Sequence, residues 1–489
     1  MILEILNHDF HYEMENLCRM FFPFEKIIKT YEPNKLNDDI VVTTKLIAQN
    51  NTIKHVARIK AFDNEYICES YVDANVKDLN AECEFSMTKA LFEVLKNSTN
   101  YTPSWGILTG VRPSKLMTKL ISTYGEKSAK KYFAEKLIVS EAKTDLAFNV
   151  AKSEMKIIDS STPRSFSLYI SIPFCPTRCS YCSFVSHSIT SPQAKNLIPE
   201  YVEKLCQEIE IVGKYAKNLE LKLESVYWGG GTPTSLDAED INIICNSISK
   251  SFDVNSAREY TIEAGRPDTV TKKKLEVIKR NAVTRISINP QTFDDTVLKN
   301  IGRLHSSQKT IDAFMLARSL GFDNINMDLI AGLPGDSVEN FSKSLNKTIE
   351  CNPENITVHT LALKRSSTLV SNGETFKGIN LTSKMLEKVE NTLPGKGFAP
   401  YYMYRQSRSL GNLENVGWSK KGYKCLYNVF MMEECHTVLA AGAGAVTKLK
   451  QPLGDYIERI FNFKYPYEYI NRFEELMERK QRIYDFYNS

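Results

Sequence analysis

The sequence predicts an α/β protein. A partial (βα)6 barrel at 166–395 follows an α+β domain at 1–165 and precedes a mostly helical C-terminal extension at 396–489, expected to pack over the barrel's substrate side. Three observations lead there. From Leu168 onward, short apolar runs alternate with amphipathic stretches and small turn residues, the rhythm of strand and crossover helix. Before Ser165 strand and helix signals mix without that alternation, and after Gly395 it stops. The 489 residues, 42% hydrophobic and 25% charged, also exceed one ordinary domain and carry no Pro/Gly/Ser-rich tract.

In the first segment, β-rich runs at 41–48 and 53–59 flank Gln49-Asn50-Asn51-Thr52 and read as a hairpin. Helical periodicity follows at 76–96, 112–124, 126–137 and 140–158. The barrel strands fall at 168–172, 225–228, 260–263, 285–288, 324–330 and 355–361. Helices at 198–215, 238–251, 271–281, 292–301, 307–320 and 338–350 connect them. In such a fold functional groups collect at the strands' C-terminal ends. Beyond the barrel come an aromatic and basic stretch, Tyr401-Tyr402-Met403-Tyr404-Arg405, a glycine-rich 440–445, and a tail read as helical from Tyr456.

Charge argues against a nucleic-acid or anionic-membrane partner, because 62 basic and 58 acidic residues leave a formal charge of only +4. The N-terminus lacks a basic region followed by an apolar run, and no stretch has the length of a membrane span, so the expected location is the cytoplasm. Eleven cysteines would stay reduced there. Cys18, Cys68, Cys83, Cys206, Cys245, Cys351 and Cys425 stand singly and read as small buried hydrophobes.

Cys175-Pro-Thr-Arg-Cys179-Ser-Tyr-Cys182 is different: three cysteines at C-x3-C-x2-C spacing directly after a strand. Three thiolates fit a zinc with an outside ligand, for which His187 is the candidate, or a [4Fe–4S] cluster with one iron left open. Nothing else resembles a zinc ribbon, and the barrel context favours the cluster. An iron held by no protein residue can accept the amino and carboxylate groups of a small molecule directly.

Further motifs occupy successive strand ends. Gly229-Gly230-Gly231-Thr232-Pro233-Thr234 lets the backbone approach a ligand closely, where a tight turn alone would need one glycine. Glu263 ends the third strand, in position to hold an ammonium or ribose group. Then come Arg285-Ile-Ser-Ile-Asn-Pro-Gln291, Ile301-Gly-Arg303-Leu-His305 and Asn326-Met-Asp328-Leu-Ile-Ala-Gly332-Leu-Pro334-Gly335. The cysteine loop with its βα units resembles the radical S-adenosylmethionine (SAM) superfamily. The full set, over 169–447, resembles the oxygen-independent coproporphyrinogen III oxidase (coproporphyrinogen dehydrogenase) family. Gly110-Val-Arg112-Pro-Ser-Lys115-Leu and Asn415-Val-Gly-Trp are most similar to its HemZ-type branch.

That resemblance implies a [4Fe–4S] cluster held by Cys175, Cys179 and Cys182, with SAM on the open iron. Tyr169, Gly230, Glu263 and Ala362 match family positions around that SAM; Tyr181, Gly231, Thr232, Gln291, Arg303 and Asp328 match positions around a second. It implies oxidative decarboxylation of two propionates of a tetrapyrrole, coproporphyrinogen III, in porphyrin and heme synthesis, with a small reducing protein such as flavodoxin or ferredoxin as donor. Two departures pull in opposite directions. Decarboxylating members carry a further cysteine where this chain has Phe184, and a heme-trafficking branch shares the aromatic there. In the region of that branch's His-Asn-x-x-Tyr-Trp motif, however, this chain reads Leu426-Tyr427-Asn428-Val429-Phe430-Met431, without the heme-binding residues. Modification of heme or RNA by the same radical chemistry is a third reading. Arg112, Lys115, Lys364, Arg365 and Arg405 are candidate partners for substrate carboxylates, with solvated surface charge as the alternative. Tyr401, Tyr402 and Tyr404 can stack on a tetrapyrrole or pack in the core. Cys435-His436 reads as packing, since adjacent residues point different ways.

Overall fold

The structure, a computed structural model, describes residues 1–23, 25–33, 38–61, 64–182, 184, 186–362, 375–406 and 409–488. The chain forms two compact units, one of 1–148 with 405–413 and the other of 149–404 with 414–489. Among the described residues no helix is long and apolar enough to cross a membrane.

The first unit is built on a five-stranded sheet. Its strands are β1 (Ile2–Leu6), β2 (Ile28–Thr30), β3 (Ile40–Gln49), β4 (Thr52–Ala61) and β5 (Asn64–Asp73), in the order β2-β1-β3-β4-β5. The expected hairpin is β3–β4, closed by the Gln49–Thr52 pair. β1 runs parallel to both neighbours and is buried along its whole length, so Ile-Leu-Glu-Ile-Leu shows none of the alternation that marks a half-buried strand. Helices His11–Phe21 and Leu79–Thr99 bury Leu17, Phe21, Met87, Leu91 and Leu95 in a core with Leu3, Ile5, Val42 and Ile59. Asp78 starts the longer helix by accepting a hydrogen bond from the Ala81 amide at 3.2 Å.

The second unit contains an eleven-stranded sheet. Its first strand is β6 (Ser165–Ile172), and a short pair follows it, β7 (Phe174–Cys175) with β8 (His187–Ser188). β9 (Lys222–Gly230), β10 (Glu259–Glu263), β11 (Arg285–Ser287), β12 (Ile325–Ala331) and β13 (Asn355–Thr360) then pair with β6 in sequence order, all parallel. This is the expected six-strand βα core of a partial barrel. Its crossover helices begin where the sequence supplies caps. Asp237, Thr271, Asp294, Ser306 and Ser337 each accept a hydrogen bond from an amide in the first turn of the helix that follows.

Residues 396–489 depart from the mostly helical expectation. They supply β14 (Ala399–Arg405) and β15 (Glu414–Ser419) beside β13, and β16 (Thr437–Ala441), β17 (Val446–Lys450) and β18 (Ile457–Phe461) beside β6. β16 and all of β15 are buried, so their sequences lack period two, and the tail turns helical only from Pro466 rather than from Tyr456.

The return of the chain to β6 is fixed by a buried ion pair. Lys480 and Glu208, both with fully buried side chains, stand 3.0 Å apart. Glu208 also accepts hydrogen bonds from the Gly442 amide, the Tyr469 hydroxyl and the Asn462 amide group, while Lys480 donates to the Ala440 carbonyl at 2.6 Å. Gly442 must be glycine: its φ is +99° and a Cβ would lie 2.4 Å from the Ser171 carbonyl. Lys480→Met should therefore cost about 3–5 kcal/mol by stranding a buried carboxylate, and adding Glu208→Gln should recover much of it. Denaturant unfolding of the two variants checks this; a single variant within about 1 kcal/mol of wild type would contradict it.

Candidate cofactor site

The cysteine loop is held by backbone on two sides. The Gly231 amide donates to the Ile172 carbonyl and the Thr232 amide to the Phe174 carbonyl, both at 2.7 Å, so the turn after β9 is laced onto the segment leading into Cys175. A Cβ on Gly231 would come within 2.5 Å of the Phe174 carbonyl oxygen, which gives this glycine a packing reason of its own. On the other side, Ser180 donates its amide to the Ile301 carbonyl and Thr177 its hydroxyl to the Gly302 carbonyl, each at 3.1 Å.

Two guanidinium groups converge on Cys179. Arg266, almost fully buried, lies 3.7 Å from the Cys179 sulfur, donates to the Thr177 carbonyl and hydroxyl, and is held by both carboxylate oxygens of Asp268 at 2.9 and 3.0 Å. Arg303 donates to the Asn289 carbonyl at 2.8 Å and also bonds Tyr181 and Cys179, while its Nε is buried without a hydrogen-bond partner among the described residues. Cys175 is buried with its sulfur 3.4 Å from the Thr232 hydroxyl. Burial pushes the Cys175 and Cys182 thiols up, so a cationic group bound at the loop is what would draw them into the thiolate form. His187 sits beside this loop through the β7–β8 pair, with its ring edge-on to Tyr465 and Tyr467 and its Nε2 buried without a hydrogen-bond partner among the described residues.

Next to the loop lies a pocket floor formed by strand ends. Tyr169, Tyr227 and Tyr427 stack, with ring centroids 4.4 Å apart for Tyr227–Tyr427 and 6.0 Å for Tyr169–Tyr427. The Tyr227 hydroxyl donates to Glu263 at 2.5 Å. A Cβ on Gly229 would meet the Tyr169 hydroxyl at 3.3 Å and Glu263 at 3.4 Å, so the missing side chain keeps this wall open. Burial, with Asp328 nearby, pushes the Glu263 carboxyl up to about 7 against the opposing effects of Tyr227, Arg285 and His359. Burial would raise Asp328 as well, but His359, Asn326 and Thr357 outweigh it and hold that carboxyl below its ordinary value. His359 is 3.7 Å from Asp328, and the Asn326 amide donates to Asp328 at 2.7 Å.

Gln291 completes the rim in a left-handed backbone conformation, φ +65°, that costs a non-glycine residue about 1–2 kcal/mol. Its amide donates to the Asp328 carbonyl at 2.8 Å, and its side-chain oxygen is buried without a hydrogen-bond partner among the described residues. Unpartnered polar atoms on Gln291 and Arg303, an open glycine wall and a cysteine loop under two guanidiniums are a donor set that fits a polar, charged cofactor. Ala362 lies two residues past β13, whose extension is anchored by the Leu361 amide on the Ala331 carbonyl.

The sequence-predicted residues thus gather as two neighbourhoods. Tyr169 and Glu263 share the pocket floor with Asp328, Gly230 lies in the turn against Ser171 and Ile172, and Tyr181, Thr232 and Arg303 surround the cysteines. Other candidates stand elsewhere. Arg405 is buried in the first unit, where it donates to the Leu108, Gly110 and Asn412 carbonyls with Trp105 against its guanidinium, a structural role for its charge. Arg112 and Lys115 also belong to that unit, and Lys364 and Arg365 lie outside the described residues. Tyr401 and Tyr402 are core residues, while Tyr404 is half-buried. His436 is packed, not ligating, with its two ring nitrogens on Ser161 and Ser167 at 2.8 Å. Arg266, Tyr227, Tyr427 and His359 were missed. Only the Arg266-Pro-Asp268 spacing carried a local signal.

Glu263 makes stability depend on pH. Its carboxyl is raised on folding, so the stability it contributes is complete below about pH 4.5 and is lost as pH rises through about 7. Glu263→Gln, neutral at every pH, should stabilise the cofactor-free protein by about 1–2 kcal/mol at pH 8 and by less at pH 6. Unfolding curves at both pH values measure it, and an equal effect at each would refute the assignment.

The model of the radical SAM superfamily matches residues 169–347. The chain is 35% identical over 481 residues to the oxygen-independent coproporphyrinogen-III oxidase-like protein HemZ of Bacillus subtilis, covering 96% of this chain and 94% of that protein. It is 30% identical over 265 residues to the heme chaperone HemW of Escherichia coli, covering 54% of this chain and 65% of that one. Among solved structures, coproporphyrinogen III oxidase (HemN) from Escherichia coli shares the fold at a TM-score of 0.51 and 22% identity, over 67% of this chain and 73% of that chain. Such proteins use a [4Fe–4S] cluster and SAM, and the chain belongs to the oxygen-independent coproporphyrinogen-III oxidase-like family of the radical SAM superfamily.

Proposed function

We propose that the protein converts coproporphyrinogen III to protoporphyrinogen IX by oxidative decarboxylation in porphyrin and heme synthesis. The observation that carries this reading is the extent of the match to the coproporphyrinogen-III oxidase-like relative, which spans 96% of the chain and so includes the first unit. The heme chaperones of Bacillus subtilis and Escherichia coli match only 40% and 54% of it. Tyr427 adds to it, because where the heme-trafficking pattern has histidine this residue is buried in the tyrosine stack.

In this reading Cys175, Cys179 and Cys182 bind three irons, and Arg266 and Arg303 hold Cys179 in place. When bound, the cluster and SAM supply a one-electron cleavage that yields a hydrogen-abstracting radical. Glu263, kept close to its ionisation point, receives the SAM ammonium, and the open face of Gly229 lets it approach. Tyr169 packs beside it, Gly230 and Ala362 would contribute backbone around the same SAM, and Gln291, Arg303 and Asp328 with Tyr181, Gly231 and Thr232 would hold a second SAM. Each reacting propionate loses a hydrogen atom from its β-carbon. As the bond to the carboxylate breaks, carbon dioxide would leave, one electron would pass to a separate one-electron acceptor, and the vinyl group would form. No side chain needs to act as a general base. A small reducing protein of the flavodoxin or ferredoxin kind supplies the electron for SAM cleavage.

Anaerobic incubation of reconstituted protein with SAM, reductant and coproporphyrinogen III should yield the divinyl product together with 5′-deoxyadenosine. Heme binding without substrate-dependent SAM cleavage would replace this reading with heme trafficking, and cleavage with unchanged porphyrinogen would point to another substrate. Each of Cys175→Ala, Cys179→Ala and Cys182→Ala should abolish the cluster's visible absorbance after reconstitution. Full absorbance in any one of them would remove that residue from the ligand set.

A further inference from the structure

One row below Glu263, the inner face of the sheet carries a buried guanidinium whose side-on edge has no hydrogen-bond partner among the described residues. Register places Tyr169 opposite Tyr227, Tyr227 opposite Thr261 and Thr261 opposite Arg285, so these four side chains share one face and one level of four adjacent strands. Arg285 is 1% exposed, and both its Nε and its Nη2 lack a hydrogen-bond partner among the described residues. Those two groups form the side-on fork of a guanidinium, whose parallel N–H bonds match the two oxygens of a carboxylate. The hydroxyls nearest in register, Thr261 across the ladder and Ser287 two residues along the same face, are also buried and have no hydrogen-bond partner among the described residues.

Two carboxylates stand near this guanidinium, and both are already engaged: Glu263 accepts the Tyr227 hydroxyl, and Glu259 is held by the chain opposite. Glu259 accepts hydrogen bonds from the Cys425 thiol at 3.2 Å, the Leu426 amide at 2.8 Å and the Tyr427 amide at 3.3 Å. It therefore caps the helix Leu426–Glu433, whose positive end offsets its charge. Tyr227, Tyr401 and Cys425, the other polar groups around the guanidinium, are all pushed by burial toward their neutral forms. What is left is one permanent cation, two parallel donors and two hydroxyls in a water-poor interior, where unmade hydrogen bonds are expensive.

We propose that Arg285, Thr261 and Ser287 form an internal binding site for a small planar oxyanion of formate or bicarbonate size. The ion lies side-on to the guanidinium and takes the hydroxyl protons on its remaining lone pairs. The site is separate from the cysteine loop and does not depend on the reaction proposed above.

The full-length protein tests this in two measurements. Sodium formate titrated at constant ionic strength should raise the wild-type Tm by about 2–4 °C in a saturable way. Ser287→Ala and Thr261→Val, which leave the charge and the fold in place, should shift the midpoint of that response at least tenfold to higher formate, and Arg285→Met should abolish it. A resident ion already saturating the site would flatten the wild-type curve, so anion chromatography of the denatured protein is read alongside it: one equivalent of formate or bicarbonate per wild-type chain, absent from Arg285→Met, supports the site. Identical responses in wild type and variants, or no response with no released anion, overturns it. So does a high-resolution structure grown in formate with only water at the fork.

Discussion

Period two along parallel strands is the constraint from which the rest of the site follows. Because β6, β9, β10 and β11 pair in order and in register, residues of one parity face inward together. One level carries Tyr169, Tyr227, Thr261 and Arg285, and the next carries Ser171, Gly229, Glu263 and Ser287. A one-residue slip in any strand would send its whole set of polar groups into the helix layer and bring Val226, Ile262 or Ile286 inside. The outward residues are the guard against that slip. They are the strand contribution to the large apolar core with Leu205, Ile209, Ile241, Ile278 and Phe314 from the crossover helices. The hydrophobic face therefore fixes the polar face.

Inward polar groups at such density are costly, and the C-terminal segment is what makes them tolerable. The helix Leu426–Glu433 brings its N-terminus to Glu259 and its Tyr427 into the stack with Tyr169 and Tyr227. Asn415 accepts the Thr360 amide at 2.9 Å and donates to the Tyr404 carbonyl, tying the end of β13 to the returning chain. Gly417 has room for no side chain, since the Tyr402 ring would lie 1.9 Å from its Cβ. Residues that look like a separate extension in the sequence thus finish the interior of the barrel unit.

The division between legible and illegible features follows the same physics. The six βα units were readable because each strand and its crossover helix is a local pattern, punctuated by caps such as Asp237 and Ser337. The cysteine loop and the glycine run were readable because their spacing is local too. β1, β15 and β16 were not, since a strand buried on both faces loses its alternation and is indistinguishable from any short apolar run. The roles of Arg266, Tyr227 and Tyr427 were not legible because they depend on partners 87, 36 and 200 positions away, at Cys179, Glu263 and Tyr227. Arg405 failed in the opposite sense. Its charge suggested a ligand, but three backbone carbonyls and an indole already use it.

Gly229-Gly230-Gly231 shows why a motif can be recognised before its reasons are known. In sequence the three glycines suggested one purpose, close approach to a ligand. In the structure each has its own. Gly231 clears the Phe174 carbonyl so that the turn can lace onto the cysteine loop, and Gly230 adopts φ +99° with Ser171 crowding the place of its Cβ. Gly229 alone faces the space between Tyr169 and Glu263. A substitution at 231 would thus act through the loop that carries Cys175, and one at 229 through the pocket wall. Substitution at 230 would strain the backbone joining the two. The loop and the pocket are therefore mechanically one object, since the same three residues set the distance between Cys175 and Glu263.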